Sequence, residues 1–386
     1  MPQDEIFMQR ALNLAFQTTG LASPNPQVGC VLVKENQVIG EGAHLYDHRD
    51  HAEIVALKQA ASRGLSTAGA TAYVTLEPCS HHGRTAPCAD ALIAAGISRC
   101  VVATQDPNPQ VGGKGITKLR AAGIQVTLGV LKQPARDLND AFAHFIQQRT
   151  PLVTLKAALS RDGKLAPSPI LRQVIQPHWL TGPEARHQVH LLRHASDAVL
   201  TGIGTVLADD PQLTDRSGPS GLDSLPRRRR LLRVTLDTHL RIPLTSKLVR
   251  SAADDLLILC RPTASSARID ALTALGAQVE TLPDHAGRLS LPAVLSVLGR
   301  RNILSLLLEC GSHLNGSFLR QNLVDKAVLL YAETELGGEA IPFAQGIASP
   351  ALVEQSLHRI TRTQYGPDTC ISGYFHNPWP SGSGSV

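Results

Sequence analysis

The hydrophobic positions of this chain fall into short apolar runs, which read as strands, separated by stretches spaced three and four apart, which read as helices. An amphipathic stretch over 4–19 predicts a first helix, and apolar runs over 28–33 and 37–43 predict a pair of strands. Helix, strand, helix, strand, helix and strand follow to Val130, the pattern of an α/β/α sandwich with a mixed sheet. Residues 133–148 form a further amphipathic helix, and Arg149-Thr-Pro151 separates it from an apolar run at 152–156. Beyond it, strands at 198–201, 231–236, 256–260, 278–282, 303–308 and 327–331 alternate with helical stretches, so the second half is α/β as well. A chain of 386 residues exceeds one ordinary core, and two domains are expected, 1–148 and 149–376. The remainder, 377–386, is low in complexity and reads as a disordered tail.

Charge and composition narrow the partners. The net charge of +5 and pI near 8.9 suit an anionic ligand, but the charge is spread along the chain, and aromatics at 4% leave little for base stacking. No nucleic-acid partner is therefore expected. The one dense basic run, Arg227 to Arg230, follows a Gly/Ser/Pro-rich loop at 217–226 and reads as a solvated lead into a strand. Seven cysteines without paired spacing argue for a reducing compartment, with Cys30, Cys100, Cys260 and Cys370 as packing residues. The acidic, amphipathic N-terminus does not resemble a signal peptide, and no apolar run approaches the roughly 20 residues that span a bilayer. A cytoplasmic protein without a membrane partner is the expectation, with a homo-oligomer left open.

Chemistry concentrates in His51-Ala-Glu53 and in Thr75-Leu-Glu-Pro-Cys79, with Cys88 further on. One imidazole and two thiols supply three zinc ligands, and a catalytic zinc keeps three protein ligands and leaves the fourth position to water. Glu53 is then better cast as a proton carrier than as a ligand. His-x-Glu followed by Pro-Cys and a second Cys is close to the zinc-deaminase signature, except that eight residues, not two, separate the cysteines. A structural zinc completed by His81 or His82 is the alternative. Residues two apart on a helix point about 200° apart, so His51 and Glu53 serve one site only if His51 sits at the first turn. Positive helix ends beneath His51 and near Cys88 would favour thiolates. Asn25, His44, Asp106 and Asn108 lie in loops where this site would open. In the second half, Gly202-Ile-Gly204 lacks the third glycine of a dinucleotide loop, whereas 308–317 runs from a buried strand through small residues into a helix, either a way of presenting amides to phosphate or a plain strand-to-helix turn.

These residues resemble those of the bifunctional riboflavin-biosynthesis deaminase and reductase, in the bacterial order. The resemblance runs from Ser23-Pro-Asn-Pro-Gln-Val-Gly29 through His51-Ala-Glu53, Glu77-Pro-Cys-Ser-His-His-Gly, Asp106-Pro-Asn-Pro, Lys156, Asp162-Gly-Lys164 and 202–214 to Glu309. It implies a cytidine-deaminase-like first domain in which His51, Cys79 and Cys88 bind zinc and Glu53 moves protons. Asn25, His44, Arg84, Asp106 and Asn108 would hold a small phosphorylated pyrimidine. It implies a second domain similar to dihydrofolate reductase, with NADPH near Ala158, Trp179, Thr205, Asp209, Thr238 and the loop Gly311, Ser312, His313, Leu314, Asn315, Gly316 and Ser317. Substrate would meet Lys156, Thr181, Arg193, Leu213, Arg216 and Glu309, the two arginines as phosphate clamps. Arg84 stands where the family can have Lys. Cys310 replaces a usual Gly, the segment 166–178 is long, and Pro177 takes the place of an expected Ser. A deaminase with a reductase-like domain that no longer transfers hydride is the first competing expectation. A nucleic-acid deaminase and a zinc-stabilised binding module are the others.

Overall fold

The apolar runs at 28–43 fold as a hairpin, β1 (Gly29–Lys34) and β2 (Gln37–Ala43) pairing antiparallel through Glu35 and Asn36, both at positive φ. This computed structural model describes residues 3–80, 87–109, 111–168, 179–285 and 287–379. The chain forms two compact units, Met1–Gln148 with the chain end from Pro378 onward, and Arg149–Asn377.

In the first unit α1 (Gln3–Phe16) precedes the hairpin, followed by α2 (Ala52–Ser62), β3 (Thr71–Val74), α3 (Cys88–Ala94), β4 (Arg99–Val102), α4 (Lys114–Ala121) and β5 (Gln125–Leu128). The sheet order is β2-β1-β3-β4-β5, with β1 antiparallel to both neighbours and β3, β4 and β5 parallel. Strand alternation sorts the faces: Val31, Val33, Tyr73 and Val101 meet Phe7, Met8, Ala11 and Leu12 of α1, while Leu32, Ala72, Val74 and Cys100 meet α2, α3 and α4. The sheet is thus covered on both faces, as an α/β/α sandwich requires. Helix α2 lies close on β2, because a Cβ on Gly40 would stand 2.3 Å from the Ala56 carbonyl oxygen. The Ala60 backbone nitrogen and Cβ complete that close approach.

The helix expected at 133–148 is two, α5 (Lys132–Leu138) and α6 (Asp140–Gln148). Asn139 parts them because its buried side-chain amide accepts from the Gln27 N–H at 2.8 Å and donates to the Gln27 carbonyl at 2.9 Å. The tail also departs from expectation at its start. Trp379 is 2% exposed, packs with Leu76 and Ala143, donates its indole N–H to Asp140 at 2.8 Å and lies under the Arg136 guanidinium. A large apolar ring with one polar handle finds both partners there. Residues 380–386 of the expected tail lie outside the described residues.

The second unit comprises β6 (Leu152–Leu159), β7 (Lys164–Ala166), α7 (Pro183–His194), β8 (Ala198–Gly202), α8 (Ile203–Asp209), β9 (Leu232–Leu236), α9 (Lys247–Arg250), β10 (Leu256–Cys260), α10 (Ser266–Ala274) and β11 (Gln278–Thr281). It continues with β12 (Asp284–His285), β13 (Arg288–Leu289), α11 (Leu291–Arg300), β14 (Ser305–Leu308), α12 (Ser312–Arg320), β15 (Lys326–Tyr331), β16 (Ile341–Pro342), α13 (Pro350–Gln355), β17 (His358–Tyr365) and β18 (Asp368–Tyr374). Nine strands form one sheet in the order β11-β10-β9-β8-β14-β6-β15-β18-β17. Every pairing from β11 to β15 is parallel, and the β17–β18 hairpin adds the antiparallel edge. Buried Leu155, Leu200, Val234 and Leu308 fill one face, and Val199, Ile258 and Leu307 the other. The C-terminal ends of β6, β8 and β14 lie side by side at the centre, where an open parallel sheet leaves a crevice.

Candidate active sites

His51 is the residue that caps α2: it has extended backbone angles, φ −76° and ψ 162°, and the helix starts at Ala52. Glu53 therefore falls in the first turn, the one arrangement that lets both residues serve one site. Cys79 follows β3 across the turn Leu76-Glu77-Pro78, and Cys88 is the first residue of α3. The Nδ1 of His51 stands 3.6 Å from the Cys79 sulfur and 3.2 Å from the Cys88 sulfur, and all three donor atoms lie within 4.8 Å of one another. Zinc bonds of 2.3 Å to sulfur and 2.0–2.1 Å to nitrogen set tetrahedral ligands roughly 3.6 Å apart, so the triad fits a zinc ion. Among the described residues this is the one such cluster of His, Cys, Asp and Glu. His81 and His82, the candidates for a fourth ligand, lie outside the described residues.

The electrostatics suit a cation bound by thiolates. Cys79 is held well below its ordinary value, first by its hydrogen bond with Cys88 and also by His51, and it accepts the Cys88 backbone N–H at 3.2 Å. Cys88 is pushed up by that same shared hydrogen bond, as expected where two thiols share one proton. His51 is raised, chiefly by Cys79. Glu53 is 3% exposed, and burial together with the Cys79 charge pushes its carboxyl up to about 7.

Asn25 and His44 join the site. The Asn25 amide nitrogen is 2.9 Å from His44 Nε2, His44 Nδ1 is 2.8 Å from the Asp50 carbonyl oxygen, and the His44 and His51 rings stack edge-on at 5.3 Å. Burial lowers the His44 pKa, which favours a neutral ring. Asp106 and Asn108 belong to a loop fastened to Glu77: the Asp106 N–H donates to Glu77 Oε2 at 3.2 Å, and Asn108 N–H to Asp106 Oδ1 at 2.8 Å. Arg84 lies outside the described residues. Glu77, in the sequence no more than one residue of the Glu-Pro-Cys motif, is 5% exposed and accepts three backbone N–H groups. A carboxylate beside Pro at a strand end was the available signal.

In the second unit a cavity of about 530 Å³ opens at the carboxyl end of the central strands. Ten residues expected to bind cofactor or substrate line it, namely Lys156, Ala158, Trp179, Arg193, Thr205, Asp209, Leu213, Arg216, Glu309 and Gly311. Thr181 and Thr238 do not; the carbonyl of Thr181 accepts from Arg186 and that of Thr238 from the Arg261 N–H. Ser312 to Ser317 are the first part of α12. Within it the Leu314 side chain packs on the core, Asn315 donates to the Phe343 carbonyl, His313 is exposed, and Gly316 lies against the Gln345 carbonyl. Gly311, the open amides of the first helical turn, the exposed His313 and the unpartnered Ser312 Oγ are left to meet a ligand. Cys310 also lines the cavity, and its thiol donates to the Leu200 carbonyl at 3.2 Å and packs on the core. Within the long 166–178 segment, residues 169–178, Pro177 among them, lie outside the described residues.

A chain of charge runs through the cavity wall. Arg193 Nε and Nη2 bind Glu309 at 2.6 and 3.0 Å, and its Nη1 donates to the Thr214 carbonyl. Three of its five guanidinium N–H groups are thus taken by protein, and the side chain lines the cavity. Arg216 lines the same cavity, and its Nε is buried without a hydrogen-bond partner. Lys156 Nζ lies 3.8 Å from Glu309, and burial lowers its pKa. Burial alone would raise Glu309, but Arg193 and Lys156 more than reverse this, to about 2. His190, unremarked in the sequence, is lowered to about 4 by burial, Arg193 and Arg216, and its Nδ1 accepts the Arg216 N–H. The basic run also differs from expectation: Arg227 is not solvated but holds Asp215, the Ser196 carbonyl and the Arg193 carbonyl.

Known proteins agree with this division. A family model described as the cytidine and deoxycytidylate deaminase zinc-binding region matches residues 1–104, and one described as the RibD C-terminal domain matches 151–371. The riboflavin biosynthesis protein RibD of Bacillus amyloliquefaciens is 39% identical, covering 95% of this chain and 94% of its own. That of Escherichia coli K12 is 38% identical, covering 96% and 98%. The solved structure of Acinetobacter baumannii RibD superposes with a TM-score of 0.81 at 36% identity, covering 96% of this chain and 98% of its own. A Thermotoga maritima diaminohydroxyphosphoribosylaminopyrimidine deaminase/5-amino-6-(5-phosphoribosylamino)uracil reductase superposes at 0.80 with 33% identity and the same coverage. No helix among the described residues is long and apolar enough to cross a membrane. Carrying a zinc-binding deaminase domain and an NADPH-using reductase domain in one polypeptide, the chain belongs to the bifunctional RibD family of riboflavin biosynthesis enzymes.

Proposed function

We propose that the protein removes an amino group from 2,5-diamino-6-(5-phosphoribosylamino)pyrimidin-4(3H)-one by hydrolysis, and then reduces the ribosyl side chain of the product to ribityl with NADPH. The observation that carries this reading is one set of reacting groups in each unit: His51, Cys79 and Cys88 around Glu53, and Glu309 with Lys156 and Arg193 in the second-unit cavity. The substrate named for the Thermotoga maritima relative supports the choice of pyrimidine. In this reading residues 1–148 carry deamination and 149–376 carry reduction.

His51, Cys79 and Cys88 hold the zinc, which supplies a Lewis acid that makes water nucleophilic at neutral pH. Glu53 takes a proton from the attacking water and returns it to the departing amine, a role its burial suits because a carboxyl near neutral pKa exchanges protons readily. Asn25 and His44 orient the ring, and Asp106 and Asn108 close over it. In the second unit NADPH supplies hydride to the sugar carbon bearing the amine. Gly311, Thr205, Asp209, Ala158 and Trp179 line its side of the cavity, Arg216 receives the substrate phosphate, and Arg193 sets Glu309 in place. A small anionic substrate, not nucleic acid, fits the low aromatic content, and the cysteine usage fits the cytoplasm.

Purified protein given the diamino substrate without NADPH is expected to release ammonia, and to oxidise NADPH only once the deaminated product is present. NADPH oxidation that precedes ammonia release would refute the order of steps, and none with the deaminated product supplied would leave a deaminase alone.

A further inference from the structure

The loop that carries Asp106 and Asn108 is held by one buried side chain. Glu77 Oε2 accepts the N–H groups of Asp106 at 3.2 Å and Gly113 at 2.8 Å, and Oε1 accepts that of Ile116 at 3.1 Å. Three donors from eleven consecutive residues thus converge on one carboxylate that is itself 5% exposed. A second contact lies beside it: a Cβ on Gly115 would stand 2.0 Å from the Pro78 carbonyl oxygen, so the start of α4 rests directly on the Glu77-Pro78 backbone. Pro78 is followed by Cys79, one of the three metal-ligating residues.

We infer that Glu77 is a positioning residue of the deaminase site, fastening the 106–116 segment to the strand end that delivers Cys79. The chemistry explains why a carboxylate stands here. Only a group with two acceptor oxygens and no donor can take three N–H groups; a glutamine would turn its NH₂ toward at least one of them. Through Asp106, whose own carboxylate takes the Asn108 N–H, the restraint reaches Asn108. Glu77 touches no reacting atom; its effect is to keep the far wall of the substrate site in register with the metal ligands. This rests on the reading that Asp106 and Asn108 contact substrate.

The test uses the zinc-loaded full chain. In Glu77→Gln, hydrogen exchange at the amides of Asp106, Gly113 and Ile116 should quicken about tenfold or more, the equivalent of about 1.4 kcal/mol of lost restraint. The deaminase KM should rise about tenfold with kcat within about threefold, the mark of lost ground-state binding. Zinc content and NADPH oxidation with the deaminated product should stay as in wild type. Unchanged amide exchange overturns the inference, as does loss of zinc with kcat falling at constant KM, which would assign Glu77 to the metal strand instead. Asn108→Ala separates the underlying reading: if it leaves KM unchanged, Asp106 and Asn108 do not hold substrate, and the exchange rates alone decide whether Glu77 fastens the loop. If Glu77→Gln folds poorly, Glu77→Asp takes its place, for which partial protection of the same amides is expected and full wild-type protection counts against the inference.

Discussion

Glu53 and Glu309 are both withdrawn from water, 3% exposed as a residue in one case and 12% as a side chain in the other, yet they stand at opposite ends of the titration scale. Burial pushes each of them up. Around Glu53 the Cys79 thiolate adds to burial, and the carboxyl rises to about 7. Around Glu309, Arg193 and Lys156 overturn burial and the carboxyl falls to about 2. A zinc ion on the ligand triad acts on Glu53 in the lowering sense, so that group sits where it can change form. The lesson is that desolvation makes a carboxylate sensitive, and its partners decide whether it moves protons or fixes charge.

Exchanging each carboxylate for its amide separates the two roles most strongly. Glu53→Gln should lower the rate of ammonia release by roughly 10²–10⁴, while NADPH oxidation with supplied deaminated product is unchanged. A loss of less than tenfold would mean that Glu53 is not the proton carrier. Glu309→Gln should act on stability first, because it leaves the Arg193 guanidinium buried without its counter-charge. A loss of about 3–5 kcal/mol in the second unit is expected, with ammonia release preserved. Urea denaturation can read the units separately, since Trp179 belongs to the second unit and Trp379 to the first.

Acid should produce a smaller effect of the same kind. The folded pKa of Glu309 is depressed below an unfolded value of about 4.3, so its stabilisation is complete above that value and is lost as pH falls toward 2, by at most roughly 3 kcal/mol. Asp215, where burial is outweighed by His194 and the Ser217 N–H, works in the same window. His190 adds a loss that begins nearer pH 6.5, because the unfolded imidazole takes a proton that the folded one, lowered to about 4, refuses. A second-unit denaturation midpoint constant between pH 6 and 3 would contradict this account.

The metal centre was legible because its spacing constrains geometry: His51 and Glu53 can serve one site only from a helix start, and α2 does start at Ala52. The central parallel strands were legible as apolar runs, since strands such as β8 and β10 are buried throughout. Other parts were written in contacts distant along the chain. Asn139 splits a helix by bonding to Gln27, and Arg193 is taken up by Glu309, 116 residues away. Strand β17 offered no pattern at all, because seven of its eight residues are exposed and it is held by backbone pairing to β18. At 308–317 the strand-to-helix turn was legible, but not that Leu314 packs on the core, that Asn315 bonds to the Phe343 carbonyl or that Gly316 lies against the Gln345 carbonyl.

The seat of Trp379 against Leu76, Ala143 and Asp140 has a bearing on biogenesis. A ribosome makes Gln148 and then roughly 230 further residues before it makes this side chain, an interval on the order of 10–50 s at ordinary elongation rates. Over that interval the deaminase core lacks its closing ring, and the reductase is translated in full before the earlier unit can be finished. The two activities are therefore tied by assembly order, and cutting the chain after Gln148 would remove a piece of the deaminase along with the reductase.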